Sequence, residues 1–189
     1  DAPGFLAEIL RVLKPGGVIR LVVPDLEYAA RTYLDALETL RSNGDSALEP
    51  NMRHEWATIY LRDQMVRSEC GGEMASWLRD HRNTTVVMEM DGILRSIAED
   101  KGHQGKMKRM LLAALASLGI RNPTRTGELH RWMYDDISLA VLLRTAGFCE
   151  VQRVHHLESR IQGWASFGLD NNRDGTPHQP GSVWMEAIK

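Results

Sequence analysis

The chemically richest stretch of the chain is His130-Arg131-Trp132-Met133-Tyr134. A histidine can take a proton from a hydroxyl near neutral pH. An arginine grips a carboxylate or phosphate with two parallel donors. Trp and Tyr lie against flat or sugar-like surfaces. His130 is therefore a candidate base, and Arg131, Trp132 and Tyr134 are candidate substrate-binding residues. The competing reading is an aromatic staple that packs one part of the chain onto another. A second candidate is Asp25, just past the apolar run Val18-Ile19-Arg20-Leu21-Val22-Val23-Pro24. Ligands of open α/β sheets bind at the carboxyl ends of strands, so Asp25 is placed to accept from a substrate or act as a base. Asp25 also suits the N-cap of a helix starting near Tyr28, and both readings stand. Glu27 is a further candidate for substrate binding.

Other constellations carry less. Asp170-x-Asn172-x-Asp174-Gly175 imitates the start of a calcium loop, but position twelve is Gly181 where a bidentate Glu is needed. A turn-rich hairpin loop explains it better. His155-His156 read as neighbours on a strand, pointing to opposite faces and unable to share a metal. His54-Glu55 lacks the second His of a zinc-protease helix, and His81 and His103 have no partner at metal spacing. No metal site is expected. Met52, Met65, Met74, Met88, Met90, Met107 and Met110 suit either an adaptable apolar lid or plain helical core. Lys101, Lys106, Lys108 and Arg109 read as a solvated helix face, with no aromatic interleaving for RNA.

The elements that must position these groups fall into three blocks. Residues 5–13 have helical apolar spacing, ended by Lys14-Pro15-Gly16-Gly17. The run 18–23 reads as a buried strand of a parallel sheet. From 28 to 125 no strand is expected. Helical spacing appears over 28–41, 52–67 and 104–118, and more weakly over 72–79 and 83–99, giving a helical insertion of about a hundred residues. The last block returns to α/β. Asp135 or Asp136 caps a helix ending at Gly147, and Phe148–Val154 and Ser182–Lys189 read as strands.

Composition narrows the classes. The 189 residues carry 23 Lys+Arg against 25 Asp+Glu, a formal net charge of −2, so no bulk field favours nucleic acid or an anionic membrane. Cys70 and Cys149 are the two cysteines, which excludes a disulfide scaffold. No apolar run of bilayer length exists. The start, Asp1-Ala2-Pro3-Gly4, is neither a signal peptide nor an initiator Met.

The segment Glu8-Ile9-Leu10-Arg11-Val12-Leu13-Lys14-Pro15-Gly16-Gly17, followed by the strand, resembles the class I S-adenosylmethionine-dependent methyltransferases. Their "E..RVLKPGG" phrase joins the fourth crossover helix to the fifth strand. Leu142-Leu143 with Ala146-Gly147-Phe148 looks like their last helix and "L...AGF" turn. Val23-Pro24-Asp25-Leu26-Glu27 and His130-Arg131-Trp132-Met133-Tyr134-Asp135 resemble a bacterial variety found near polysaccharide genes. The resemblance covers about 1–27 and 128–189.

It implies the C-terminal portion of a Rossmann-like α/β fold. Strands five, six and seven would form a mixed sheet, the seventh antiparallel and inserted between the other two. Residues 1–27 and 126–189 would be the partial core, and 28–125 an acceptor-binding cap. The implied activity is methyl transfer from S-adenosylmethionine to oxygen or nitrogen of a small polar acceptor, such as a sugar or lipid-linked saccharide precursor, in the cytoplasm. The family's Gly-x-Gly cofactor loop is absent from these residues, so strands one to four are expected to be missing and the chain alone to be inactive. The cofactor-binding residues are then unknown. An exposed edge on Val18–Val23 would favour a homo-oligomer or strand-paired dimer. The rival readings are a non-catalytic scaffold derived from a methyltransferase and, further off, a generic α/β nucleotide or sugar enzyme.

Overall fold

A computed structural model describes residues 2–43, 47–66, 72–90 and 132–189. The chain divides into two compact units, Asp1–Tyr28 with Met133–Lys189, and Ala29–Trp132.

The first unit is built on a three-stranded sheet. Helix α1, Ala2–Val12, leads through the Lys14–Gly17 turn into β1, Val18–Pro24. Helix α6, Asp136–Thr145, leads into β2, Cys149–Arg153. After a long connection containing a 3₁₀ turn at Trp164–Phe167 comes β3, Ser182–Ile188. The sheet order is β1-β3-β2, and β3 is antiparallel to both neighbours. The strand β1 was expected inside a parallel sheet. Among the described residues its strand partner is instead antiparallel, as the resemblance implies for the last strand, and an isolated parallel bridge, Asp25 to Tyr134, lies beyond it. The cause is order: the last strand enters the gap between β1 and β2 from the opposite direction.

Alternation along β3 sorts the side chains. Val183, Met185 and Ala187 join Ile19, Leu6, Leu139, Ala140, Leu143 and Phe148 in one core. Arg20 and Glu186 occupy the other face. The two glycine turns are pinned from far away in sequence. Gly16 N–H donates to Lys189 O at 3.2 Å and Lys189 N–H to Gly17 O at 3.0 Å. Gly147 has φ +104, and a Cβ there would sit 3.0 Å from Leu10 Cδ2 of α1. That position therefore needs glycine both for its backbone and for its contact. Helix α6 begins with a reciprocal cap: Asp135 Oδ1 accepts from Ser138 N–H at 2.7 Å, and Ser138 Oγ accepts from Asp135 N–H at 3.1 Å. The Asp135 carboxyl is held below its ordinary range by the Ser138 hydroxyl and then its amide.

The second unit is helical in its described residues. Helix α2 spans Leu26–Asn43, α3 Leu48–Val66, α4 Gly72–Asp80 and α5 Thr85–Met88. The helix expected over 83–99 is described only as far as the short α5, and the one over 104–118 lies outside the described residues. Met52, Trp56, Ile59 and Tyr60 of α3 are buried, as are Trp77 and Leu78 of α4. Trp56 and Trp77 meet at 5.3 Å between ring centroids. Asp63 is buried against the start of α4, where its Oδ1 accepts from Glu73 N–H at 2.8 Å. Gly72 there has φ +53, and a Cβ would lie 2.4 Å from Asp63 Oδ2. Met52 is core, whereas Met88 is exposed.

Candidate functional site

The end of β1 gathers charge. The Asp25 backbone continues the ladder by donating to Gly181 O at 2.9 Å, and the next amide, Leu26, donates to Tyr134 O at 2.9 Å. This fixes the Asp25 side chain in a buried position, 3% exposed. Its Oδ1 accepts from Glu27 N–H at 2.9 Å and so caps α2. Its Oδ2 accepts from Arg153 Nη2 at 3.2 Å. Both readings of Asp25 thus meet in one residue: it is a cap, and it stands at the strand's carboxyl end.

Arg153, the last residue of β2, is the group that sequence reasoning missed. Its guanidinium also lies 3.7 Å from Glu27 Oε2 and 4.0 Å from Asp136 Oδ2. Three carboxylates therefore face one cation, a local excess of negative charge. Asp25 is closed off, with both oxygens engaged. Arg153, Glu27 and Asp136 keep side-chain exposures of 48%, 42% and 36%, so solvent or a ligand reaches them. Such a mouth suits hydroxyls or a cation, because carboxylates are acceptors and the arginine is a donor. Alternation toward the end of a strand was the one available signal for Arg153; its partner Asp25 is 128 residues away.

Of the other candidates, Tyr134 belongs to this neighbourhood through its backbone, with a half-buried ring packed on the core. Trp132 is 66% exposed. His130 and Arg131 lie outside the described residues.

A second charge cluster occupies the far sheet face. Arg20 Nε donates to Asp170 Oδ2 at 2.7 Å and its Nη1 to Glu186 Oε1 at 2.7 Å. Ser159 Oγ and Arg160 N–H also donate to Glu186, and Trp164 Nε1 to Asp170. Burial pushes the Glu186 carboxyl up, but the donors from Ser159, Arg160 and Arg20 outweigh it and hold it below the ordinary range. Asp170, first residue of the calcium-like stretch, is thus committed to Arg20 and Trp164. Asp174 accepts from the Thr176 hydroxyl and amide instead. His155 and His156 do not point to opposite faces. Their rings lie 4.0 Å apart, because β2 ends at Arg153 and the chain turns there. His156 Nδ1 pairs with the Asn171 amide oxygen. Among the described residues no group of three His, Cys, Asp or Glu could hold a metal, and no helix is long and apolar enough to cross a membrane.

With the geometry in place, comparison gives no further identification: no protein-family model, no curated protein and no solved structure matches this chain.

Proposed function

We propose that the chain is the C-terminal part of a class I S-adenosylmethionine-dependent methyltransferase. In this reading the enzyme methylates an oxygen or nitrogen of a small polar acceptor. The observation that carries it is the sheet order β1-β3-β2, with the last strand antiparallel between the two others. That is the arrangement the resemblance implies for strands five, seven and six. The two motif turns support it too, since Lys14–Gly17 closes on the final residue and Gly147 on α1.

The described residues do not fit the cofactor itself. S-adenosylmethionine needs a backbone without Cβ approaching it past the carboxyl end of a strand. The glycine turns at Gly16-Gly17 and Gly147 instead precede β1 and β2, with Gly16 N–H spent on Lys189 O and Gly147 N–H on Arg144 O. No step through the cofactor is therefore assigned to this chain. Its own contribution is on the acceptor side. Glu27 and Asp136 accept from acceptor hydroxyls or an amine, Arg153 donates beside them, and Asp25 keeps Arg153 in place. A polyhydroxylated acceptor such as a saccharide precursor matches that donor and acceptor set.

Titration of the 189-residue chain, and of a longer chain carrying upstream sequence, with S-adenosylmethionine or S-adenosylhomocysteine tests this. Binding by the longer chain alone supports the proposal. Micromolar binding by the short chain overturns the absence of a cofactor cradle. No binding by either favours the scaffold reading, which the missing Gly-x-Gly loop motivates.

A further inference from the structure

We draw no further inference here: the strongest candidate, the uncharged surface patch at residues 161–169 of the β2–β3 connection, where Phe167 and Leu169 are 59% and 61% exposed, carries nothing because nothing in the structure shows what covers it.

Discussion

Two arginines, Arg20 and Arg153, each face more carboxylates than they can neutralise, and they do opposite things. Around Arg20 the ion pairs are 2.7 Å long and the three side chains are 2%, 6% and 0% exposed. Arg20 Nη1 also reaches Glu158 O at 2.8 Å, which ties the β2–β3 connection to the sheet. Around Arg153 the distances run from 3.2 to 4.0 Å, and only Asp25 is buried. A dry, fully bonded cluster fixes structure, because a missing partner there leaves a charge without water. A wet, loosely bonded cluster costs little to rearrange, and that is what a binding mouth needs.

The comparison breaks most severely at Arg20. Arg20→Ala strands Asp170 and Glu186 and should cost about 3–5 kcal/mol, enough to unfold the sheet unit. Thermal melting checks it; a loss under about 1 kcal/mol would mean the cluster is solvated after all. Acid should act through the same group. The folded Glu186 carboxyl titrates below its ordinary value of 4.5, so its contribution is complete above that pH and fades as pH falls through the depressed folded value. Acid melting of Glu186→Gln, already weaker at neutral pH, should therefore be flatter below about pH 4.5 than that of the native chain.

Arg153→Ala sits lower on the scale. It removes one bond from buried Asp25 but leaves the cap on Glu27 N–H, so a loss of about 1 kcal/mol is expected. A melting shift as large as that of Arg20→Ala would erase the distinction between the clusters. The smallest effects belong to Glu27→Gln and Asp136→Asn. Each should change stability by less than about 0.5 kcal/mol. If the proposed methyl transfer holds, each should raise KM for the acceptor several-fold in a longer chain carrying upstream sequence, with little change in cofactor affinity. Unchanged acceptor kinetics in both would remove the mouth from the active site.

The unequal legibility of the two clusters has a physical cause. Glu27 and Asp25 were visible because a strand, a proline and a helix start lie in one short segment. Asp135 was readable as a cap because it opens an apolar period, and Ser138 completes the box. Arg153 and Asp136 were not readable as a site, since nothing near them in the chain marks their partner. Arg20 stood inside a run read as a buried strand, and Asp170 in a stretch read as a turn-rich hairpin loop. Only the crossing of β3 between β1 and β2 brings Glu186 beside Arg20. The histidine pair was misread for a local reason: strand alternation was extended past Arg153, where the strand had already ended.

The sequence by itself determined the local pieces: periodic helices α1 to α4 and α6, three strands, glycine turns at Gly16 and Gly147, and candidate caps at Asp25 and at Asp135 or Asp136. These depend on side-chain period, positive φ and neighbouring amides, all of which act within a few residues. The tertiary structure alone decided that Arg153 holds Asp25 and that Arg20 joins a buried triad. Those outcomes depend on strand order and on which charges lose water together, and neither is encoded in any short stretch of chain.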